Sequence, residues 1–286
     1  MRTDLIVIGG GKMGGALVTG LISGGWATPE HIAVVESLAE RRAQLAAAHP
    51  GLRVVSSVGE VAGPGASPED SSYREPGPSK VGGALVAVKP GDASRACAGL
   101  AALAPPRVLS IMAGVTIATL EGLLDDGTAV MRAMPNTPAL VGAGVAALCG
   151  GSAASAADLD WAEGVLRSVG AVVRVPEEWL DAVTAVSGSG PAYVFLLAEA
   201  LAQAGVAAGL PEPTSRALAV ATVAGAGKLL AETGEEPVKL RSDVTSPGGT
   251  TARGIAVLEE RGLREAVRAA VAAAAERSRE LARGEA

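Results

Sequence analysis

Apolar positions follow two different rhythms along the chain. Up to about residue 176, short apolar runs recur at Leu5–Ile8, Ala33–Val35, Leu52–Ser56, Ala84–Val88, Arg107–Met112, Ala129–Met134, Val145–Leu148 and Ala171–Val175. Each is bounded by turn residues, and the segments between them space apolar residues as helices do, for instance Ala16, Leu17, Leu21 and Ile22, or about Ala156 to Val169. Strands alternating with helices predict an α/β domain with a doubly wound, mostly parallel sheet. Beyond Pro176 the strand pattern stops and long alanine-rich helices follow. The predicted organisation is therefore residues 1–176 as an α/β domain and 177–286 as an all-α domain. Within the first, 63–80 is rich in Pro, Gly and Ser without apolar periodicity, which predicts a flexible surface insertion.

In the second domain, Ala192–Ala204 and Ser215–Glu232 carry apolar residues on nearly every face. Such helices need cover from more than one side. One chain supplies few covering elements, so a homodimer of interleaved helices is expected, with Gly225 and Gly227 permitting close approach. Glu177 and Glu178 stand in the first turn of this domain, where carboxylates complement a helix dipole. Ser187-Gly188-Ser189-Gly190-Pro191 interrupts the helix and restarts it.

Two glycine loops carry the candidate chemistry. After the first strand, Gly9-Gly10-Gly11-Lys12-Met13-Gly14 opens a helix, and Gly9, Gly11 and Gly14 fit G-x-G-x-x-G. In that pattern one glycine makes the turn, one admits a pyrophosphate and one lets helix pack on strand. Glu36 falls 22 residues after Gly14, near where an acid reads the ribose. It leans slightly toward NAD, whereas Arg41 and Arg42 suit a 2′-phosphate. Lys89-Pro90 ends the Ala84–Val88 strand at the ligand edge of such a sheet. The second loop, Val244-Thr245-Ser246-Pro247-Gly248-Gly249-Thr250-Thr251, precedes a helix starting near Ala252. Small residues expose N–H groups at a helix start, and the hydroxyls of Ser246, Thr250 and Thr251 exceed what a cap requires, so the loop suits a small anion.

Composition narrows the classes. The 286 residues are 49% hydrophobic, with net charge −6 and only 2% aromatics, and the 24 basic residues are scattered. Neither a phosphate-tracking stripe nor base-stacking platforms are available, so nucleic acid is not an expected partner. Cys97 and Cys149 fit neither a disulfide framework nor a zinc site, and no metal is expected. Four apolar residues before Gly9 are too few for a signal peptide, so a cytoplasmic location is expected. Pro191–Leu210 is apolar enough to resemble a membrane span, but Glu199 and Gln203 near its middle favour a buried helix and no membrane.

A nicotinamide enzyme acting on an alcohol needs a base. His31 and His49 both lie in the N-terminal half, and the all-α domain offers only Lys228 and Lys239. Reduction of a protonated C=N bond avoids that requirement, because the iminium is itself the electrophile. The segments IGGGKMG, AVKP, RAMPNTP, DAVTAVSGSGPAY and VTSPGGTT, in this order and spacing, closely resemble the pyrroline-5-carboxylate reductases. That resemblance implies NAD(P)H-dependent reduction of 1-pyrroline-5-carboxylate to L-proline, the last step of proline biosynthesis, with NADPH as cofactor and NADH as the alternative. It also implies a Rossmann domain followed by a helical dimerisation domain, the dimers often gathered into a larger ring such as a decamer. Gly9, Gly10, Gly11, Lys12, Met13 and Gly14 would then line the pyrophosphate, Glu36 and Ser37 the adenosine ribose, and Val88, Lys89, Pro90 and Ala113 the region toward the nicotinamide. Glu177, Gly248, Gly249, Thr250 and Thr251 would hold the substrate, with Thr251 Oγ1 bonding the ring nitrogen.

Lys12 and Asp243 depart from the family's usual uncharged residues, Lys12 toward stronger phosphate binding and Asp243 toward weaker anion binding. Two other readings share the first loop. One is a β-hydroxyacid dehydrogenase using Lys228, and the other a non-catalytic dinucleotide-sensing dimer.

Overall fold

A computed structural model describes residues 3–62 and 81–283. The expected insertion at 63–80 lies outside the described residues. The strands are β1 (Leu5–Ile8), β2 (Ile32–Val35), β3 (Arg53–Val55), β4 (Ala84–Val86), β5 (Arg107–Ser110), β6 (Ala129–Pro135), β7 (Gly144–Gly150) and β8 (Gly170–Arg174). They form one sheet in the order β3-β2-β1-β4-β5-β6-β7-β8. Every neighbouring pair is parallel except β6 with β7.

The helices are α1 (Lys12–Ser23), α2 (Ala39–Ala48), α3 (Val58–Ala62), α4 (Ala93–Leu100), α5 (Ile117–Glu121), α6 (Ala156–Arg167), α7 (Leu180–Val183), α8 (Gly190–Ala207), α9 (Glu212–Thr233), α10 (Pro237–Asp243), α11 (Thr250–Glu260) and α12 (Leu263–Ala282). Strand direction explains why the sheet reads as unbroken apolar runs. Leu5 and Val7 point to one face, where Leu17, Val18, Leu21, Val165 and Leu166 of α1 and α6 cover them. Ile6 and Ile8 point to the other, where Ala96, Cys97, Leu100 and Leu120 of α4 and α5 close over them. With helices on both faces, both residue sets of a strand must be apolar.

The chain divides into two compact units, residues 1–188 with 275–286, and residues 189–274. The segment just after Pro176 packs with the first unit: Leu180 and Ala185 are fully buried in it. There the expected helix interruption takes the form of a π-helical stretch at Thr184–Gly188, after which α8 starts with Pro191 in its first turn. Such stretches arise where the regular hydrogen-bond ladder is perturbed.

In the second unit α8 and α9 pack against each other, and Ser215 Oγ donates to Ala202 O at 2.6 Å. Large apolar side chains nevertheless face outward. Phe195 is 66% and Leu196 65% exposed, and Val194, Leu197, Leu218 and Val220 are exposed as well. One helical stretch among the described residues, Glu177–Ala207, is long and apolar enough to cross a membrane.

Candidate active site

The strand order reverses between β1 and β4, and the crevice outside the carboxyl ends at such a switch point is where open α/β sheets bind ligands. A cavity of about 1220 Å³ opens there. It is lined by Gly9, Gly11 and Lys12 from the β1–α1 loop, Glu36, Ser37 and Arg41 after β2, Ser56 and Ser57 after β3, and Val88 and Lys89 after β4. Residues that sequence spacing singled out separately thus converge on one crevice.

The glycine loop is built for close approach. Gly9 has φ +103°, and a Cβ there would lie 2.6 Å from Ala87 O. At Gly14 a Cβ would lie 2.0 Å from Gly9 O, so only glycine lets α1 start this close to β1. Gly11 faces open space, where an added Cβ would meet nothing nearer than Arg41 Nη1 at 3.7 Å. It forms the N-terminal boundary of α1, which has no side-chain cap. Uncapped first-turn N–H groups and the positive end of the helix dipole favour an anion. Lys12, Arg41, Lys89 and Arg95 line the cavity against two carboxylates, Glu36 and Asp92. An open cradle, an uncapped helix and a net positive wall fit a pyridine dinucleotide.

The other cofactor residues predicted from sequence, Gly10, Met13, Pro90 and Ala113, are not among the residues lining this cavity. Gly10 packs on Leu45, Glu36 and Val34. Met13 packs against the apolar face beneath α1. Pro90 starts a short 3₁₀ turn, and Ala113 sits exposed just beyond β5. Glu36 is buried, its Oε2 accepting from Gly10 N at 3.0 Å and its Oε1 from Leu38 N at 2.9 Å.

Glu177 does not cap its own helix. Its Oε1 accepts from Ile117 N at 2.7 Å, capping α5, and from Arg132 Nη1 at 2.8 Å. Arg132 is a β6 residue whose side chain is only 10% exposed, so a buried guanidinium finds its counter-charge in Glu177, beyond the end of β8. Cys149 lies beside this pair, and its Sγ donates to Arg132 O. Burial first, and the Glu177 charge second, push this thiol up to about 11 against the opposing pull of Arg132. Cys97 is buried too, and both thiols are free.

Asn136 lies in the RAMPNTP segment, after β6. It is nearly buried, with Nδ2 donating to Ser187 O at 3.0 Å and Oδ1 accepting from Val145 N at 2.9 Å. Asn136 therefore ties the β6–β7 turn to the π-helical stretch. The prolines on either side, Pro135 and Pro138, were the available hint, since they hold the turn open for a side chain to bridge it.

In the second unit Gly248, with φ +72°, turns the chain, and Gly249 N donates to Ser246 O at 3.0 Å. Gly249 is the N-terminal boundary of α11 and no side chain caps the helix. The hydroxyls of Ser246, Thr250 and Thr251 are thus not engaged in capping, and all three residues are exposed. Asp243 is paired with Lys239 Nζ at 2.7 Å. Among the described residues no group of three or more His, Cys, Asp or Glu side chains stands ready to hold a metal.

Two family models match the chain. Residues 177–281 match the model described as pyrroline-5-carboxylate reductase dimerisation, and residues 4–66 match NADP oxidoreductase coenzyme F420-dependent. A pyrroline-5-carboxylate reductase of Synechocystis sp. is 42% identical, covering 98% of this chain and 99% of that protein. The Mycobacterium tuberculosis pyrroline-5-carboxylate reductase is 40% identical, covering 97% of this chain and 96% of its own. Among solved structures, a Coxiella burnetii pyrroline-5-carboxylate reductase superposes with a TM-score of 0.86 at 33% identity, covering 98% of this chain and 99% of that one. The Plasmodium falciparum pyrroline carboxylate reductase, solved with NADP bound, gives 0.79 at 28% identity and 98% coverage of both chains.

Proposed function

The chain belongs to the pyrroline-5-carboxylate reductase family, and from that premise we propose that it reduces 1-pyrroline-5-carboxylate to L-proline with NADPH, as a cytoplasmic homodimer. The observation that carries the reading is the pair of uncapped helix starts, each preceded by a glycine turn: α1 in a cationic crevice and α11 beside free hydroxyls. The first suits a dinucleotide pyrophosphate and the second a small carboxylate.

NADPH supplies hydride from the nicotinamide when bound. The chain's own part is to bind and orient. N–H groups of Gly11, Lys12 and Met13, with the Lys12 ammonium, hold the phosphates, and Val88, Lys89, Pro90 and Ala113 border the nicotinamide end. Gly248, Gly249 and Thr250 border the substrate carboxylate, with Thr250 N–H as a donor because Gly249 N–H is already given to Ser246 O, while Thr251 Oγ1 meets the ring nitrogen. No protein general acid is required, because the imine can arrive protonated. Glu177 supports the site through Arg132 and the α5 start, and its contacts favour a positioning role over direct substrate contact.

NADPH rather than NADH is favoured by the four cations against two carboxylates in the crevice wall and by the inward turn of Glu36. We assign residues 1–176 to nucleotide binding and 177–286 to dimerisation and substrate binding on the match of the dimerisation model from residue 177, although residues 177–188 pack with the first compact unit. The exposed apolar side chains of α8 and α9 suit a second copy better than a membrane, because Glu199 and Gln203 interrupt the apolar surface. A ring of five such dimers is the natural larger assembly.

The test is steady-state oxidation of NADPH by the purified protein supplied with the imine. Wild-type protein is expected to turn over and Thr251→Ala to lose turnover by ~10- to 100-fold, the scale of one oriented hydrogen bond at a reacting centre. Absence of turnover in the wild type overturns the reading, and undiminished turnover in Thr251→Ala removes that residue from the site.

A further inference from the structure

We propose that Glu36 is a positioning residue for the glycine loop, and that Arg41 carries the discrimination between NADPH and NADH. The inference rests on the nucleotide-binding reading above. An acid at the end of the second strand conventionally accepts from the ribose 2′-hydroxyl. In this protein both carboxylate oxygens of Glu36 already have backbone partners. Oε2 accepts from Gly10 N at 3.0 Å and Oε1 from Leu38 N at 2.9 Å, with Ser37 Oγ at 3.4 Å. The residue is 6% exposed. Gly10 is pressed against it, since a Cβ at Gly10 would stand 3.3 Å from Glu36 Cβ and 2.6 Å from Leu45 Cδ1. The carboxylate thus ties the β1–α1 loop to the β2–α2 loop, and its removal would leave two amides without partners.

Arg41 is in the opposite situation. Its side chain is half exposed, and Nη1 lies 4.0 Å from Glu36 Oε2 and nearest the open side of Gly11. The other polar groups at this end are committed elsewhere. Arg42 Nη1 donates to Glu36 O at 2.9 Å and to Ser37 O at 2.7 Å. The Ser56 and Ser57 hydroxyls both donate to Glu60 Oε1. Arg41 therefore remains as the cation able to meet an added phosphate at the ribose, with the planar donor fork that suits it.

The experiment compares wild type, Glu36→Ala, Glu36→Gln and Arg41→Ala by calorimetric binding of NADPH and NADH, together with amide hydrogen exchange over residues 9–14 in nucleotide-free protein. Glu36→Ala is expected to weaken both nucleotides by about 10-fold, the effect of about 1.4 kcal/mol, with their ratio held within about threefold and exchange of the loop accelerated. Glu36→Gln, which keeps an acceptor oxygen, is expected to recover part of both losses, and it serves the test if the alanine variant fails to fold. Arg41→Ala is expected to weaken NADPH about 10-fold, leave NADH within about threefold and leave loop exchange unchanged. Tighter NADPH binding by Glu36→Ala or Glu36→Gln with unchanged exchange would overturn the role of Glu36, since the carboxylate would then face the ribose. Equal loss of both nucleotides in Arg41→Ala would overturn that of Arg41. Wild-type protein that binds neither nucleotide is a different result: it removes the nucleotide reading itself and this inference with it.

Discussion

The two glycine turns solve the same problem in opposite surroundings. Around the first, the groups that set the loop's shape are answered from within: Gly9 N by Val35 O, Gly10 N by Glu36, the Glu36 and Ser37 carbonyls by Arg42. These bonds hold the loop's shape without a ligand, which lowers the ordering that binding would require. Around the second, the helix start is uncapped as at α1, but the hydroxyls are exposed and the helices of the same unit turn Phe195 and Leu196 outward. A unit that leaves its largest apolar side chains at the surface has not buried enough to be complete alone. The contrast separates the two: the first unit holds its crevice from within, and the second, which matches a dimerisation model, keeps a large apolar surface outward.

The most severe way to break that contrast is to charge the outward face of α8. Phe195→Asp combined with Leu196→Asp is expected to leave a monomer by sedimentation and to lower activity at least ~100-fold, because an unpaired carboxylate in an apolar interface costs several kcal/mol. A dimer with normal turnover would place the interface elsewhere. The first unit should fail differently. Arg132→Ala leaves Glu177 without its guanidinium partner and is expected to cost about 3 kcal/mol in equilibrium denaturation, the low end for a broken buried pair because Glu177 keeps a third of its side chain exposed. A loss below about 1 kcal/mol would show that Ile117 N alone satisfies the carboxylate.

How much of this was legible in sequence follows the same division. Strand positions, the parallel order and the first loop were readable, because runs such as Leu5–Ile8 are apolar for both faces of one sheet and G-x-G-x-x-G has a steric cause at each glycine. At the second loop the glycine turn and the helix start were readable, and α11 begins at Thr250, two residues before the expected start near Ala252. The partners of polar side chains were not readable. Glu177 looks like a helix-start acid in sequence, yet it caps α5 some 60 residues earlier and pairs with Arg132. Glu36 sits where a ribose reader belongs, yet turns into the loop. Asn136 bridges a turn to the π-helical stretch 51 residues later. Each of these contacts is made across distant segments, and local spacing carries no record of it.

The mildest test concerns Asp243, whose negative charge just before the second turn suggests, from sequence, weaker binding of an anionic substrate. The structure supplies a counter-charge: Lys239 Nζ lies 2.7 Å from Asp243 Oδ2, one helical turn back on α10. Both side chains are more than half exposed, so the pair itself contributes little, about 0.3–0.5 kcal/mol for exposed residues at this spacing. What it does is neutralise the carboxylate locally, and solvent screening over about 8 Å at physiological salt removes most of what is left. Asp243→Asn is therefore expected to change the KM for the imine by less than ~3-fold at physiological salt and to leave kcat unaltered. Lys239→Ala, which uncovers the carboxylate, is the sharper variant: it should raise KM more than Asp243→Asn lowers it, and the increase should shrink as salt is added. If Asp243→Asn instead lowers KM tenfold, the Lys239 pair does not shield the loop in solution, and the second turn feels its neighbouring carboxylate, whereas the first turn binds its own, Glu36, through Gly10 N.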